Sequence, residues 1–191
     1  MTPTKFNKKE YLKKYNLTGN NKICIFFGGG GNGSSRTLPY IKKIAISNPK
    51  LDIIFVAGKN EHSKEVVDNY IENNNLKNVR TIGFATNVPD LLELSDFVIS
   101  KPGGIQLTEC LYFKKPVLMI THSGGQEIAN YKYFEKEGFG KFFKTRWGLN
   151  KHVKLILDNE KILKKYSENM IKKSNSNDSI EKVYELIKNV L

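Results

Sequence analysis

Residues 22–33 read KICIFFGGGGNG, and this stretch decides the expected fold. Lys22–Phe27 is a nearly continuous apolar run, which is typical of a strand buried on both faces of a parallel sheet. Five of the six residues in Gly28–Gly33 are glycine, and a helix is predicted after them at about residues 36–47. A buried strand that turns into a helix predicts the first unit of a Rossmann-like domain.

Strands and helices alternate along the rest of the chain. Further strands are predicted at residues 51–57, 79–82, 97–100 and 116–120, with a short sixth strand near Gly138 and Gly140. Helices are predicted at about residues 5–16, 62–74, 89–94 and 105–113, from Gln126 onwards, and from about 149 to an apolar stripe in 180–191. The expected fold class is therefore α/β, a doubly wound parallel sheet of about six strands with helices on both faces. Such a sheet binds ligands at the carboxyl ends of its strands.

The composition is that of one ordinary globular domain. The 191 residues are 39% hydrophobic and 26% charged, which suits a single buried core. Cys24 and Cys110 lie in apolar stretches without a Cys or His at metal spacing, so both are expected to be reduced core residues. No apolar segment has the length of a membrane span, and no apolar run follows the first lysines. A cytoplasmic location is expected.

The net charge of +12 suggests an anionic partner, such as nucleic acid, an anionic membrane surface or a phosphorylated ligand. The lysines are spread over nearly every predicted helix, and asparagine is also abundant, so a general compositional bias explains the charge equally well. No nucleic-acid recognition motif accompanies the charge, and no nucleic-acid partner is predicted.

The glycine-rich segment suits a phosphate group. Glycine permits close approach of the backbone, and the following helix start offers unpaired N–H groups to an anion. The segment is not a P-loop, because no Gly-Lys-Ser/Thr follows. It matches the dinucleotide fingerprint poorly, because Ser34 would replace the last glycine and no acidic residue closes the second strand. A flexible turn remains the alternative.

Two further segments carry unusual residues at predicted strand ends. Residues 101–109, KPGGIQLTE, place a glycine pair before a helix in which Glu109 can accept from both hydroxyls of a ribose. Gln126, Glu127 and Asn130 follow a third glycine pair and have the planar donors and acceptors that suit sugar hydroxyls. A solvated helix glutamate and a polar helix cap are the respective alternatives. Together these loops predict a site for a nucleoside diphosphate joined to a polyhydroxylated group.

The segments KPGGIQLTE, KKPVLMI and GGQEIANYKYFEKEGFG, within residues 101–140, resemble the carboxyl-terminal domain of family-28-type glycosyltransferases of the GT-B fold. They are most similar to bacterial diacylglycerol glucosyltransferases and plant monogalactosyldiacylglycerol synthases, over about residues 5–145. The resemblance implies a set of binding residues. They are Gly31, Asn32, Gly103, Gly104 and Ile105 for the diphosphate, Phe84, Ala85 and Val88 for uracil, Glu109 for ribose, and Gln126, Glu127 and Asn130 for the sugar. Gln106 departs from the threonine that is common in relatives near a phosphate.

The resemblance implies transfer of a hexose, with inversion, from a UDP-sugar substrate to a lipid acceptor such as diacylglycerol. No Asp-x-Asp motif occurs, so neither a metal nor a cofactor is expected. Residues 1–20 are expected to be an interdomain linker and helix, and 21–191 the donor-binding domain. The acceptor site and catalytic base would belong to an amino-terminal domain outside this chain. Peripheral contact with anionic lipid at the inner face of the plasma membrane is also expected.

Alternatives to a transferase half remain open: a stand-alone subunit that needs a separate acceptor-binding chain, and a non-catalytic nucleotide-binding module. The three histidines do not decide between them. His62 and His152 are expected on the surface, whereas His122, beside the GGQE segment, is a candidate for ligand contact.

Overall fold

The computed structural model describes residues 6–28 and 35–176. Its strands are β1 (Lys22–Phe27), β2 (Leu51–Val56), β3 (Val79–Ile82), β4 (Phe97–Ser100), β5 (Val117–Ile120) and β6 (Gly140–Phe143). Its helices are α1 (Lys8–Lys14), α2 (Leu38–Ser47), α3 (Glu61–Asn73), α4 (Val88–Leu94), α5 (Gly104–Tyr112), α6 (Gln126–Lys136), α7 (Arg146–Asp158) and α8 (Lys161–Ser176).

The six strands form one parallel sheet in the order β3-β2-β1-β4-β5-β6. The predicted fold class is confirmed. Because the chain leaves β1 toward β2 and β3, and later returns to place β4 on the other side of β1, the strand order reverses between β1 and β4. In a doubly wound sheet, a crevice opens at the carboxyl ends of the strands at this point.

Both faces of the sheet are covered. Alternate residues of β1 enter opposite cores: Cys24 and Phe26 belong to one buried cluster, and Ile23 and Ile25 to the other. The first cluster includes residues of α2, α3 and α7, and the second includes residues of α4, α5, α6 and α8. Strand side chains point alternately to the two faces, so an apolar residue is needed at nearly every position.

The ends of some helices differ from the predictions. Residues 35–37 form a 3-10 turn before α2, and Pro39 stands in the first turn of that helix. The region predicted as helical from about 149 is two helices, and α7 begins earlier because Thr145 caps it by accepting from the Gly148 N–H at 3.1 Å. The apolar stripe predicted in 180–191 lies outside the described residues.

Helix α1 packs on the rest of the structure. The Tyr11 hydroxyl donates to an Asp90 carboxylate oxygen at 2.5 Å, and Arg80 donates from Nε to the Tyr15 carbonyl at 3.0 Å. Tyr15 is buried in the second core cluster. The division into a linker (1–20) and a domain (21–191) stays a prediction. Within the described ranges, no helix combines the length and apolar character needed to cross a bilayer.

Candidate functional site

A cleft of about 610 Å³ opens at the carboxyl edge of the sheet, where the strand order reverses. The last residues of three neighbouring strands, Phe27, Val56 and Ser100, line its base. Eight of the residues predicted for the site also line it. They are Phe84, Ala85, Val88, Gly103, Gly104, Ile105, Glu109 and Glu127. Folding therefore brings most of the predicted set to one place, although residue roles remain predictions.

Gly28 directly follows β1 and is the last described residue before the gap at residues 29–34. A Cβ atom here would lie 2.8 Å from Cζ of Phe55 and 3.1 Å from the Val56 carbonyl oxygen, so the close approach of β2 favours glycine. Its N–H donates to Val56 O at 2.8 Å, and its carbonyl accepts from the buried Thr37 hydroxyl at 2.9 Å. Gly31 and Asn32, predicted to lie beside the diphosphate, are outside the described residues.

The amino terminus of α5 opens into the cleft. Gly103 is its N-cap and has no side chain to accept from the first N–H groups of the helix, which have no partner inside the helix either. No atom lies within 4 Å of a Cβ placed on Gly103, so the space beside it is open. Unpaired N–H groups and the positive end of the helix dipole suit a phosphate.

Lys101 and Glu127 form an ion pair at the same edge. Lys101 Nζ lies 3.2 Å from Glu127 Oε1, and the Ser123 N–H donates to Oε2 of the same carboxylate at 2.5 Å. Burial opposes ionisation of this carboxyl, but the Ser123 N–H and the Lys101 ammonium outweigh it and lower the pKa of Glu127. Glu127 is therefore a carboxylate that only accepts hydrogen bonds, and it can accept from the O–H of a sugar hydroxyl.

Glu109 has a different environment. Its carboxylate lines the cleft and accepts from Gln106 Nε2 at 3.3 Å. Burial raises the pKa of Glu109 above the ordinary glutamate value. Two donor hydroxyls of a ribose would supply the hydrogen bonds that compensate for this desolvation.

An apolar wall also lines the cleft. Phe84 is 59% exposed, and Ala85 and Val88 line the cleft beside it. Lys59 Nζ lies 5.5 Å from the centre of the Phe84 ring. An exposed ring next to small apolar residues suits a planar aromatic base, which buries its faces against such surfaces.

Gln126 and Asn130 do not line the main cleft. They line a second hollow of about 750 Å³, which Gly104, Ile105 and Glu109 also border. Asn130 Nδ2 donates to the Pro102 carbonyl at 3.0 Å and so supports the loop before α5. The sugar contacts predicted for Gln126 and Asn130 stay predictions, and in this structure neither lines the main cleft.

None of the three histidines lines the main cleft, and the ligand contact predicted for His122 stays a prediction. His122 Nδ1 accepts from the Gly124 N–H at 3.2 Å, and its ring packs 5.7 Å from the ring of Tyr131, in a separate hollow of about 280 Å³. His62 is exposed, as predicted. His152, also predicted on the surface, is half-buried: its ring lies 5.1 Å from that of Phe143, and burial lowers the pKa of His152.

Sequence analysis did not single out five residues that line the cleft: Phe27, Val56, Gly58, Ser100 and Lys101. Three of them end strands, so the rule that ligands bind at strand carboxyl ends could have found them. In the described part of the chain, no group of three His, Cys, Asp or Glu side chains could hold a metal ion. That neither a metal nor a cofactor is needed stays a prediction.

The sequence matches the family model described as glycosyltransferase family 28 C-terminal domain over residues 24–190. A processive diacylglycerol beta-glucosyltransferase from Bacillus cereus (strain G9842) is 32% identical over 134 residues, which are 70% of this chain and 34% of that protein. The Bacillus subtilis (strain 168) protein of the same name is 28% identical over 158 residues, 83% of this chain and 41% of that protein. The chain thus spans less than half the length of these relatives.

Solved structures show the same fold. The crystal structure of WaaG, a glycosyltransferase involved in lipopolysaccharide biosynthesis, aligns with 90% of this chain and 47% of its own, with a TM-score of 0.69 and 17% identity. Anabaena Alr3699/HepE in complex with UDP and glucose aligns with 98% of this chain and 52% of its own, with a TM-score of 0.72 and 15% identity. By the family match over most of its length, the chain belongs to the glycosyltransferase family 28 C-terminal domain family.

Proposed function

We propose that this chain binds the UDP-sugar donor of a glycosyltransferase that moves a hexose to a lipid acceptor such as diacylglycerol. One observation carries the proposal. A single cleft combines an open helix amino terminus at Gly103, a partly buried carboxylate at Glu109 and an apolar wall at Phe84. These suit, in turn, the diphosphate, the ribose and the base of one nucleotide.

The acceptor is proposed from the relatives. They are named diacylglycerol beta-glucosyltransferases, and this chain matches less than half of their length. We propose that an amino-terminal domain outside this chain provides the acceptor site and the catalytic base, and that this chain alone binds the donor without transferring it. Peripheral contact with an anionic membrane at the inner face of the plasma membrane belongs to the same proposal, because diacylglycerol resides in a membrane.

In the proposed reaction the acceptor hydroxyl oxygen forms a bond to the sugar C1 atom and loses its proton to the catalytic base of the amino-terminal domain. The bond between C1 and the diphosphate oxygen breaks, and negative charge develops on the leaving UDP. The open N–H groups of α5 would stabilise that charge without reorganising during the reaction. Lys101, 3.2 Å from Glu127, places a positive charge at the same edge. Glu127 itself, held as a carboxylate, would accept from a sugar hydroxyl.

Calorimetric titration with UDP, and with ADP as the control nucleotide, tests the proposal. UDP is expected to bind more tightly than ADP, because the cleft is proposed to select the base. Glu109→Ala should weaken UDP binding by about ten-fold, the loss of hydrogen bonds to a charged group. The variant Glu65→Ala, which removes an exposed carboxylate on α3, is the matched control and should bind UDP normally.

The same titration with 2′-deoxy-UDP separates a ribose contact from a general loss of negative charge. If Glu109 accepts from the ribose hydroxyls, Glu109→Ala should cost much less affinity for 2′-deoxy-UDP than for UDP. Equal losses for the two ligands would contradict the ribose assignment. Absence of UDP binding by the folded chain would overturn the proposed function.

A further inference from the structure

Helices α2 and α7 lie side by side on one face of the sheet. Asn48, which follows α2, donates from Nδ2 to Asn150 Oδ1 of α7 at 2.9 Å in a buried contact. Tyr40 of α2 donates to the Lys144 carbonyl, just before α7, at 2.9 Å. Both helices follow parallel strands and run back along the sheet, so their outward sides form one continuous surface.

This surface, called here the α2–α7 face, combines exposed apolar side chains with cations. Trp147 is 61% exposed, Ile46 49% and Leu155 46%, although each is large and hydrophobic. The two helices contain five Lys or Arg residues and one carboxylate, Asp158. Apolar exposure and positive charge therefore coincide on this face.

Two cationic side chains lie close to the indole ring of Trp147. Lys43 Nζ lies 4.0 Å from the ring centroid and Arg146 Cζ lies 5.8 Å from it. Tryptophan favours the interface between water and lipid headgroups, where its ring is amphipathic. Neighbouring Lys and Arg side chains can bury their aliphatic stems there while their charged ends reach lipid phosphates.

The mixture of residues favours a lipid surface over a protein or nucleic-acid partner. Lysine is depleted at the centre of protein–protein interfaces, yet here Lys43, Lys151 and Lys154 are interspersed with the apolar side chains. A nucleic acid would use the cations but leave Ile46 and Leu155 exposed to water. Isolated large apolar side chains among cations are typical of segments that lie in the headgroup layer of anionic membranes.

We propose that the α2–α7 face docks this domain onto an anionic lipid surface. Trp147, Ile46 and Leu155 enter the headgroup layer, and the surrounding lysines pair with lipid phosphates. The proposal deepens the proposed function, on which it rests for the presence of a membrane, by naming the surface that meets the lipid. It requires no contact with the donor cleft.

Trp147 is the one tryptophan in the 191 residues, so tryptophan fluorescence of the full chain reports on this face alone. Vesicles of phosphatidylcholine and phosphatidylglycerol should shift its emission to shorter wavelength, and brominated acyl chains in those vesicles should quench it. Vesicles of phosphatidylcholine alone should do neither, and added salt should reverse the effect because it screens the lysines. Emission that anionic vesicles leave unchanged would overturn the proposal.

Paired variants test whether the site is local. Lys151→Gln with Lys154→Gln should lower co-sedimentation with anionic vesicles by roughly ten- to thirty-fold, since each lysine near such a surface contributes about five-fold. The matched control is Lys132→Gln with Lys136→Gln, which removes the same charge from exposed positions of α6. Equal losses for the two pairs would show that net charge alone drives binding and would contradict the assignment.

A second pair of variants measures the contribution of apolar side chains to vesicle binding. Trp147→Ala should weaken vesicle binding, whereas Tyr112→Ala, which removes a 57% exposed aromatic ring from α5, should not. DNA binding that matches vesicle binding and falls equally with Trp147→Ala would move the assignment to nucleic acid. A UDP titration of the unmutated chain separates the two proposals: UDP binding without binding to anionic vesicles refutes only the membrane surface.

Discussion

The ammonium group of Lys101 lies 3.2 Å from a carboxylate oxygen of Glu127, and this contact joins the end of β4 to the first turn of α6. The two side chains are only 24% and 18% exposed, so water screens the pair less than it screens a surface ion pair. The pair holds two loops of the candidate site at a fixed separation, across 26 residues of sequence.

The Lys101–Glu127 contact predicts a stability effect in acid. The pKa of Glu127 is depressed in the folded state, so its stabilisation is present above the ordinary glutamate value of 4.5 and is lost as pH falls through the lower folded pKa. Glu127→Gln should destabilise the protein by roughly 1–2 kcal/mol at neutral pH and by less in acid. Urea unfolding at several pH values measures this, with Glu65→Gln as the control. A cost that does not shrink in acid would contradict the ion-pair account.

For Glu109 we expect the opposite dependence of stability on pH. Burial raises its pKa in the folded state, so the penalty for ionising it is absent below 4.5 and grows as pH rises through the folded pKa. Glu109→Gln should therefore stabilise the free protein slightly at neutral pH while weakening UDP binding. Thermal unfolding with and without UDP measures both effects. A variant that lost stability together with UDP affinity would indicate a structural role instead.

UDP binding should also depend on pH through Glu109. The ionised carboxylate accepts from two hydroxyls, whereas the protonated form offers less acceptor capacity. Affinity is expected to fall on acidification, beginning at a pH above the ordinary value of 4.5 because the pKa is raised. Calorimetric titrations of the wild type across this range, with Glu109→Ala as the insensitive control, would detect the dependence.

Gly104→Ala should separate diphosphate recognition from folding. A Cβ here would lie 3.7 Å from Gln126 Nε2 and 3.8 Å from Asn130 Nδ2, which are ordinary contacts, so the fold should tolerate it. Alanine favours the helix by about 0.5–1 kcal/mol, but its methyl group would crowd a phosphate at the amino terminus of α5. UDP binding should fall while uridine binding remains. Equal loss for both ligands would contradict a phosphate at this helix.

Gly140→Ala should disrupt the sheet. Its Cβ would lie 1.9 Å from the Val117 carbonyl oxygen, a backbone atom of the neighbouring strand that cannot rotate away. Gly28→Ala meets mainly a Phe55 ring atom at 2.8 Å, which can yield in part, and should cost roughly 1–3 kcal/mol. Urea unfolding should therefore rank Gly140→Ala as the more destabilising change. The reverse order would mean that β5 and β6 can separate without penalty.

The sequence predicted several elements to the residue, including β3 (Val79–Ile82) and β4 (Phe97–Ser100), because polar or turn-forming residues stand on both sides of these short segments. It failed at the start of α7, where exposed Trp147 and Gly148 interrupt the periodicity and the cap at Thr145 decides the boundary. It also grouped Gln126 with Glu127, although only Glu127 lines the main cleft. Successive helical residues point about 100° apart, and the orientation of this first turn follows from Gly124 and Gly125, at φ 95° and 50°.

The sequence by itself determined the alternation of strands and helices, and with it the edge of the sheet where the candidate site lies, because local periodicity and glycine placement suffice for both. The tertiary structure alone decided the strand order, the pairing of Lys101 with Glu127 and the joining of α2 to α7 into one basic, apolar face. These features depend on contacts between residues far apart in the chain, and no local pattern encodes which distant partner a side chain meets.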